Sequence, residues 1–192
     1  IAIPAINYTS ENGSGVKVGE KFGKNNVLLW ESRNGSVTYT FDIPEEAVYN
    51  IEFEYGLLDS SERDLDFGIQ IDGKFPFDEA SALELPRMWT DATDFRTDDV
   101  GNQFAPEQIS YEGYVTKAAF DASGASVYPM EFKFTKGTHT VTILNNDSES
   151  IAISKVCLAV PESSAPTYAE VSAQYKANGY KSVAAEPIVI EG

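Results

Sequence analysis

Alternation of apolar and polar side chains with a period of two is the feature that most constrains this fold. Residues 37–43 place Val, Tyr, Phe and Ile on one side and Thr, Thr and Asp on the other, and residues 49–55 repeat the pattern. A strand of this kind turns one face to a core and the other to water. The short turn "PEEA" between the two strands predicts a hairpin or an arch between two sheets.

Three further segments extend the pattern. Residues 64–71 alternate and then meet Asp72-Gly73, a two-residue hairpin signal, so we expect "KFPF" to be the return strand. The strands "MEFKF" and "THTVTIL", joined by "TKG", predict another hairpin, with His139 on the apolar face of the second strand. In the last strand, a slip of the alternation near Ser154 and Lys155 predicts a β-bulge.

The remaining segments complete an all-β prediction. Shorter strands are expected in "AINYTSE", "NVLLW" and "GYVTKAAF", and no stretch before Pro166 has a helical stripe. Eight to ten mostly antiparallel strands of this length usually close as a sandwich or jelly roll. We therefore predict a β-sandwich domain over residues 1–162.

A change of pattern after Pro166 predicts a short helix. Tyr168, Val171 and Tyr175 are spaced as on one helical face, Thr167 is a possible N-cap, and Asn178-Gly179 is a stop signal. We expect residues 163–192 to form this helix and a linker towards a further domain. Because the chain begins at Ile1 without a methionine, we also expect it to be a piece of a longer protein.

Charge and cysteine content exclude several functions. Fourteen Lys and Arg against 30 Asp and Glu give a net charge of −16, which repels nucleic acids and anionic membranes. No apolar run approaches the length of a membrane helix, so no membrane insertion is expected. A single cysteine cannot form an intrachain disulfide or a cysteine-rich zinc site.

Catalytic motifs are also missing from the sequence. The one histidine, His139, is expected to be a core or edge residue, which leaves no Ser-His or Cys-His pair. The chain has no glycine-rich phosphate loop, and 30 acidic residues would produce apparent carboxylate pairs in any fold. We predict that the chain is not an enzyme.

Residues 87–108 follow no alternation and supply the candidate site. Sugar rings pack their C–H faces on aromatic side chains, and their hydroxyls bind planar polar groups. A long non-periodic loop is usually functional or disordered. The predicted ligand-binding residues are Arg87, Trp89, Asp91, Asn102 and Gln103, with Tyr111 and Tyr114 as a second platform. The alternative is that Trp89 closes the end of the sandwich while Arg87 pairs with an aspartate to hold the loop.

Calcium is left open as a cofactor. Asp91, Asp94, Asp98, Asp99 and Asn102 offer oxygen ligands, although their spacing does not match an EF-hand loop. A second possible place is near Glu11 and Asp121, if the first and last strands approach each other.

Three segments carry a resemblance to a known family. "IPEEAVYNIEFEY", "IQIDGK" and "FTKGTHTVTI" resemble motifs of carbohydrate-binding modules of the galactose-binding-like β-sandwich type, similar to families six and thirty-five. The middle region and "TYAEV" also look like β-sandwich domains that precede solute-binding domains in bacterial transport lipoproteins. The glycine expected before Tyr49 is replaced, and "NYTSEN" only faintly echoes the calcium-binding signature of the relatives.

The resemblance implies a galactose-binding-like jelly roll in an extracellular, secreted or surface-anchored bacterial protein. Its expected function is non-catalytic binding of a carbohydrate at the loop end of the sandwich. The alternative is a structural or interaction domain that packs through residues 87–108 against a neighbouring domain of the same polypeptide. In either reading nucleic acids are not partners.

Overall fold

The computed structural model describes residues 1–58, 63–146, 149–161 and 168–179. These residues contain one 3₁₀-helix, Asp78–Ser81, and one α-helix, α1 (Tyr168–Ala177). The strands are β1 (Ala2–Pro4), β2 (Ser10–Asn12), β3 (Lys17–Lys21), β4 (Lys24–Trp30), β5 (Ser36–Ile43), β6 (Ala47–Leu57), β7 (Leu65–Ile71), β8 (Leu83–Leu85), β9 (Trp89–Asp91), β10 (Arg96–Thr97), β11 (Gln103–Phe104), β12 (Gln108–Ser110), β13 (Val115–Ala118), β14 (Phe120–Asp121), β15 (Glu131–Phe134), β16 (Gly137–Asn145) and β17 (Ile151–Ala159).

Two antiparallel sheets form the body of the fold. The first contains seven strands, in the order β13-β6-β17-β4-β3, with β1 also paired to β17 and β15 to β6. The second contains six strands, in the order β14-β8-β7-β16-β5-β2. The predicted all-β fold with a short C-terminal helix is confirmed. The described strands outnumber the eight to ten expected, because strands of two to four residues have too few side chains to show a period.

The core lies between the two sheets. Phe53 of the first sheet meets Phe67 of the second with ring centroids 5.4 Å apart. Trp30 is buried in the same cluster, and its indole N–H donates to the backbone oxygen of Asn34 at 3.2 Å. The hydroxyl of Tyr39 donates to the backbone oxygen of Ala5 at 2.8 Å, so this buried polar group has a partner.

Both short turns between periodic strands are arches between the sheets. β5 lies in the second sheet and β6 in the first, which decides between the two expected possibilities. The predicted hairpin of β15 with β16 is wrong: β15 pairs with β6, whereas β16 pairs with β5 and β7. Each of the two strands buries its own apolar face, and an arch places these faces on opposite sides of one core.

The predicted turn after β7 is present, but its return strand is not. Asp72 and Gly73 have φ values of 51° and 76°, which suits a two-residue turn, and Ile71 forms an isolated bridge to Lys74. Residues 75–77 then lead into the 3₁₀-helix instead of a strand. The β-bulge predicted near Ser154 is confirmed, since the register of β17 on β6 shifts between Ile153 and Lys155.

The chain divides into two compact units, Ile1–Val160 and Pro161–Gly192. In the second unit α1 ends at Ala177, and Gly179 follows with a φ of 80°, as expected of a glycine stop signal. The proposed N-cap Thr167 lies outside the described residues. No helix in the described part of the chain is long and apolar enough to cross a membrane.

Candidate functional site

Residues 87–112, here called the arm, connect β8 to β13. They contain two short antiparallel ribbons, β9 with β12 and, farther out, β10 with β11. The sequence prediction of an irregular loop is therefore wrong. Alternation arises where one face of a strand is buried. Because solvent contacts both faces of such a ribbon, its strands show no alternation.

The register of the inner ribbon decides which arm residues share a face. Trp89 pairs with Ser110 and Asp91 with Gln108. Directly opposed residues lie on the same face, and successive residues point to opposite faces. Trp89, Asp91 and Gln108 therefore lie on one face of the ribbon. Tyr111 belongs to the other face, so it is not a second platform beside Trp89.

Trp89 and Asp91 are on the exposed face of the arm. Trp89 is 44% exposed and does not close the end of the sandwich. The side-chain amide of Gln108 donates to Oδ1 of Asp91, which fixes a carboxylate and an amide side by side next to the indole. Gln108 was not singled out in the sequence, because only the strand register reveals that it faces the same way as Trp89.

Arg87 lies inside the base of the arm and is only 4% exposed. Its Nε donates to the backbone oxygen of Arg63 at 3.1 Å, and its Nη1 donates to Oγ of Ser110 at 2.9 Å. The backbone N–H of Arg87 donates to Oδ1 of Asp64 at 2.7 Å. This residue therefore positions the arm on the sandwich, with an aspartate bonded to its backbone N–H, while a ligand contact through its side chain stays a prediction.

Asn102 and Gln103 lie at the outer end of the arm. Gln103 pairs with Thr97 in the outer ribbon, whereas Trp89 pairs with Ser110 in the inner one. The amide of Asn102 donates to Oδ2 of Asp98 at 2.8 Å. Gln103 therefore belongs to a different ribbon from Trp89, and the binding roles predicted for Asn102 and Gln103 stay predictions.

The two tyrosines occupy different surroundings. Tyr111 lines a small cleft at the base of the arm together with Arg87, Met88 and Gly56. Tyr114 packs edge-on against Phe22, with ring centroids 5.8 Å apart, and Nζ of Lys24 lies 4.7 Å from the centre of its ring. Burial, followed by the charge of Glu54, raises the pKa of Tyr114 to about 12. A binding role stays a prediction for both tyrosines.

The acidic residues of the described chain do not assemble a metal site. No group of three or more His, Cys, Asp or Glu side chains within the described ranges is arranged to hold a metal ion. Asp98 instead accepts hydrogen bonds from Asn102 and Val100. Glu11 and Asp121 lie in β2 and β14, at opposite edges of the six-stranded sheet, so the expected approach of these residues is wrong. Calcium therefore stays open as a cofactor, and neither of the two places expected from the sequence gathers three such side chains within the described residues.

His139, the single histidine, lies at the edge of the core as expected. Its Nδ1 lies 2.7 Å from Oδ2 of Asp72, and its Nε2 lies 3.1 Å from the backbone oxygen of Thr135. Its ring also packs edge-on against Phe134. Both ring nitrogens of His139 thus lie close to acceptor atoms of the protein. One acceptor belongs to the turn at Asp72, and the other belongs to the turn at Thr135.

A group of carboxylates surrounds Glu84 in β8. Glu84 of β8 is directly opposite Asp66 of β7, so two carboxylates share one face of the second sheet. Burial, followed by the charges of Asp64, Asp66 and Asp121, raises the pKa of Glu84 above its usual value. The ionised form of Glu84 is therefore less favourable in the folded protein than in the unfolded chain.

Replacing Glu84 by Gln should stabilise the protein at neutral pH. A carboxyl group with a raised pKa favours folding below its unfolded pKa, and this contribution is lost as the pH rises through the folded pKa. We expect the free energy of unfolding to rise by a few tenths to about 1 kcal/mol at pH 7. Urea unfolding should show the gain disappearing towards acidic pH. The exposed Glu45 provides the control, because Glu45→Gln should change stability little at either pH.

No family model matches the chain, and no curated protein matches it. Among solved structures, the chain is similar to a family 35 carbohydrate-binding module of Clostridium thermocellum, at 7% identity and a TM-score of 0.51 over 81% of this chain and 94% of that one. It is also similar to the CBM35 of Paenibacillus barcinonensis, at 10% identity and a TM-score of 0.50 over 83% of this chain and 98% of that one.

A third similar structure belongs to a larger protein. It is the GH26-CBM35 β-(1,4)-mannanase of Podospora anserina, at 11% identity and a TM-score of 0.50. The match covers 86% of this chain, but this chain spans only 28% of the mannanase. These three comparisons agree on the architecture: the chain has the β-sandwich fold found in family 35 carbohydrate-binding modules.

Proposed function

We propose that the chain is a non-catalytic glycan-binding module whose site lies on the inner ribbon of the arm. One observation carries the proposal: Trp89 is exposed on an ordered ribbon, with Asp91 and Gln108 on the same face. The shared fold supports it, because the neighbours in fold are named as carbohydrate-binding modules. A fold alone hosts many functions, so the chemistry of this face has to support the proposal.

The chemistry of the ribbon face suits a pyranose ring. The indole offers a flat apolar surface for the C–H face of the sugar. The carboxylate of Asp91 accepts hydrogen bonds from hydroxyl groups, and the amide of Gln108 both donates and accepts. Arg87 contributes indirectly, since its hydrogen bonds to Arg63 and Ser110 hold the base of the ribbon in place.

Charge narrows the ligand to neutral sugars. The chain carries a net charge of −16, and Asp91 lies within the site itself. A uronic acid would bring a second carboxylate close to Asp91, and like charges repel. We therefore expect neutral hexoses or pentoses to bind in preference to pectin-like or other acidic polysaccharides.

We infer an extracellular setting in a larger bacterial protein, secreted or anchored to the cell surface. Glycans of the kind that such modules bind lie outside cells, and the mannanase gives an example of this fold as one part of a longer chain. The surface would then deliver a neighbouring domain of the same polypeptide to a polysaccharide. Binding at one stacked ring is expected to be weak, because few contacts offset the cost of association.

Titration against a panel of neutral and acidic oligosaccharides tests the proposal. We expect Trp89→Ala to weaken binding of the best neutral ligand at least about tenfold, since truncating a central aromatic residue costs more than about 1.4 kcal/mol. Isothermal titration calorimetry or affinity electrophoresis provides the measurement.

Phe75→Ala is the matched control, because Phe75 is 42% exposed and lies outside the arm. It should leave glycan binding unchanged. A panel without any bound glycan would refute the function, whereas equal binding by Trp89→Ala and the unaltered chain would move the site away from the indole.

A further inference from the structure

The arm is joined to the sandwich at two places. Its entry root, residues 86–87, is held by polar contacts, which include a hydrogen bond from the hydroxyl of Tyr55 to the backbone oxygen of Pro86. Its exit root, residues 113–114, is held by the packing of aromatic rings and glycine backbone. A two-stranded ribbon is only marginally stable by itself, so the direction in which it projects depends on how both roots are held.

The exit root packs against the tip of the hairpin formed by β3 and β4. A Cβ on Gly56 of β6 would lie 2.8 Å from Cε2 of Phe22 and would also overlap the backbone oxygen of Gly113. Because Gly56 has no side chain, Phe22 and Gly113 can approach the same point of the first sheet. Phe22 also packs edge-on against Tyr114, with ring centroids 5.8 Å apart. The ring of Phe22 therefore lies next to both residues of the exit root.

Gly113 connects the exit root to the inner ribbon. A Cβ on Gly113 would lie 2.7 Å from atoms of the Tyr111 ring, so this ring lies directly against the backbone of Gly113. The backbone N–H of Tyr111 donates to the carbonyl of Met88 at 2.8 Å, and Met88 immediately precedes Trp89. A shift of Gly113 would therefore move Tyr111 and, through this hydrogen bond, the strand that carries Trp89.

Phe22 occupies a backbone conformation that a bulky residue disfavours. Phe22 and Gly23 are the two central residues of the turn between β3 and β4, with φ values of 48° and 75°. Such a turn favours Asn-Gly, because a φ above zero is costly for a residue with a large side chain. Residues held in conformations of this kind cluster at functional sites, where the surrounding structure fixes them. An aromatic ring at this position therefore points to a role for the ring itself.

We propose that Phe22 is a positioning residue of the glycan site. Its ring fixes the exit root, and the exit root fixes the direction in which Trp89 projects. Phe22 acts through Gly113 and Tyr114 and not by contact with the sugar. Nζ of Lys21 lies 5.0 Å from the centre of the Phe22 ring, a cation–π contact that helps to hold the ring in place. The expected effect on glycan affinity rests on the proposed function, whereas the effect on the arm does not.

Hydrogen exchange of the whole chain, combined with glycan titration, tests the proposal. Phe22→Asn removes the ring but gives the turn its favoured residue pair, so the hairpin should stay formed. The amides of Ala92 and Tyr111 form hydrogen bonds at the two ends of the inner ribbon. We expect them to exchange at least about fivefold faster in this variant. The amide of Thr140, in the second sheet, should change much less. Affinity for the best ligand of the oligosaccharide panel should fall about threefold to tenfold.

Two further variants separate positioning from general stability. Phe22→Leu keeps an apolar side chain in the same turn, so it should retain most of the protection of the ribbon amides and most of the affinity. Phe75→Asn is the matched control, because Phe75 is 42% exposed and lies outside the arm. It should change neither quantity.

Three results would overturn the proposal. The first is unchanged exchange of the ribbon amides in Phe22→Asn, and the second is an equal acceleration at Thr140, which would show that the ring only stabilises the fold. The third is unchanged glycan affinity alongside faster exchange of the ribbon. A panel without any bound glycan would refute the proposed function instead, and the exchange rates would still decide whether Phe22 fixes the arm.

Discussion

Replacing Arg33 and Arg63 together by Ala is expected to lower the free energy of unfolding by about 3–5 kcal/mol. The carboxylate of Glu149 is only 3% exposed, and it lies 3.1 Å from Nη2 of Arg33 and 2.7 Å from Nη2 of Arg63. Without these two arginines, the carboxylate of Glu149 would stay buried but would lose both of these ion pairs. Guanidinium chloride unfolding, followed by tryptophan fluorescence, measures the loss.

Replacement of the acidic partner, Glu149, provides the control for the two ion pairs. Glu149→Ala should cost less than the double arginine variant, because the freed guanidinium groups are more than half exposed and regain water. The triple variant should therefore be more stable than the double variant. A loss below about 1 kcal/mol in the double variant would show that the ion pairs behave like ordinary surface pairs.

The same cluster connects the stability of the sandwich to the arm. The backbone oxygen of Arg63 accepts a hydrogen bond from Nε of Arg87, the buried residue at the base of the arm. Displacement of the segment around Arg63 would therefore loosen the platform from which Trp89 projects. We expect the double arginine variant to lose glycan affinity as well as stability.

The central strands could be predicted from the sequence because each buries one face. β5, β6, β7 and β16 all alternate, and the structure places the apolar side of each between the sheets. Their partners could not be predicted with equal success. A period of two reports which face is buried, but it does not report whether a short turn leads back into the same sheet or across to the other one.

The candidate site was harder to predict than the fold. The exposed position of Trp89 agrees with the sequence reading, whereas the burial of Arg87 does not agree with a surface ligand contact. Arg87 is held by residues 63 and 110, and no local pattern links these positions. The partnership of Asp91 with Gln108 depends on the ribbon register, which in a solvent-exposed ribbon leaves no hydrophobic signal.

Gly35→Ala is expected to be the second strongly destabilising change, with a loss of about 2–5 kcal/mol. Gly35 has a φ of 88°, a left-handed conformation that costs a residue with a Cβ about 1–2 kcal/mol. A Cβ at this position would also lie 2.3 Å from the backbone nitrogen of Ser14. Because the backbone of Ser14 cannot rotate aside as a side chain does, this overpacking should lower the free energy of unfolding by about a further 1–3 kcal/mol.

Gly101 separates these two contributions, because its φ of 91° is nearly the same while a Cβ there would meet no atom within 4 Å. Gly101→Ala should therefore cost only the conformational part, about 1–2 kcal/mol. The difference between the two variants in urea unfolding measures the close approach of residue 35 to Ser14. The position of Gly35 is also fixed from the other side, since its carbonyl accepts a hydrogen bond from the backbone N–H of Asn145 at 3.0 Å. Equal losses in the two variants would contradict a tight contact and would indicate that the segment around Gly35 moves to accommodate a methyl group.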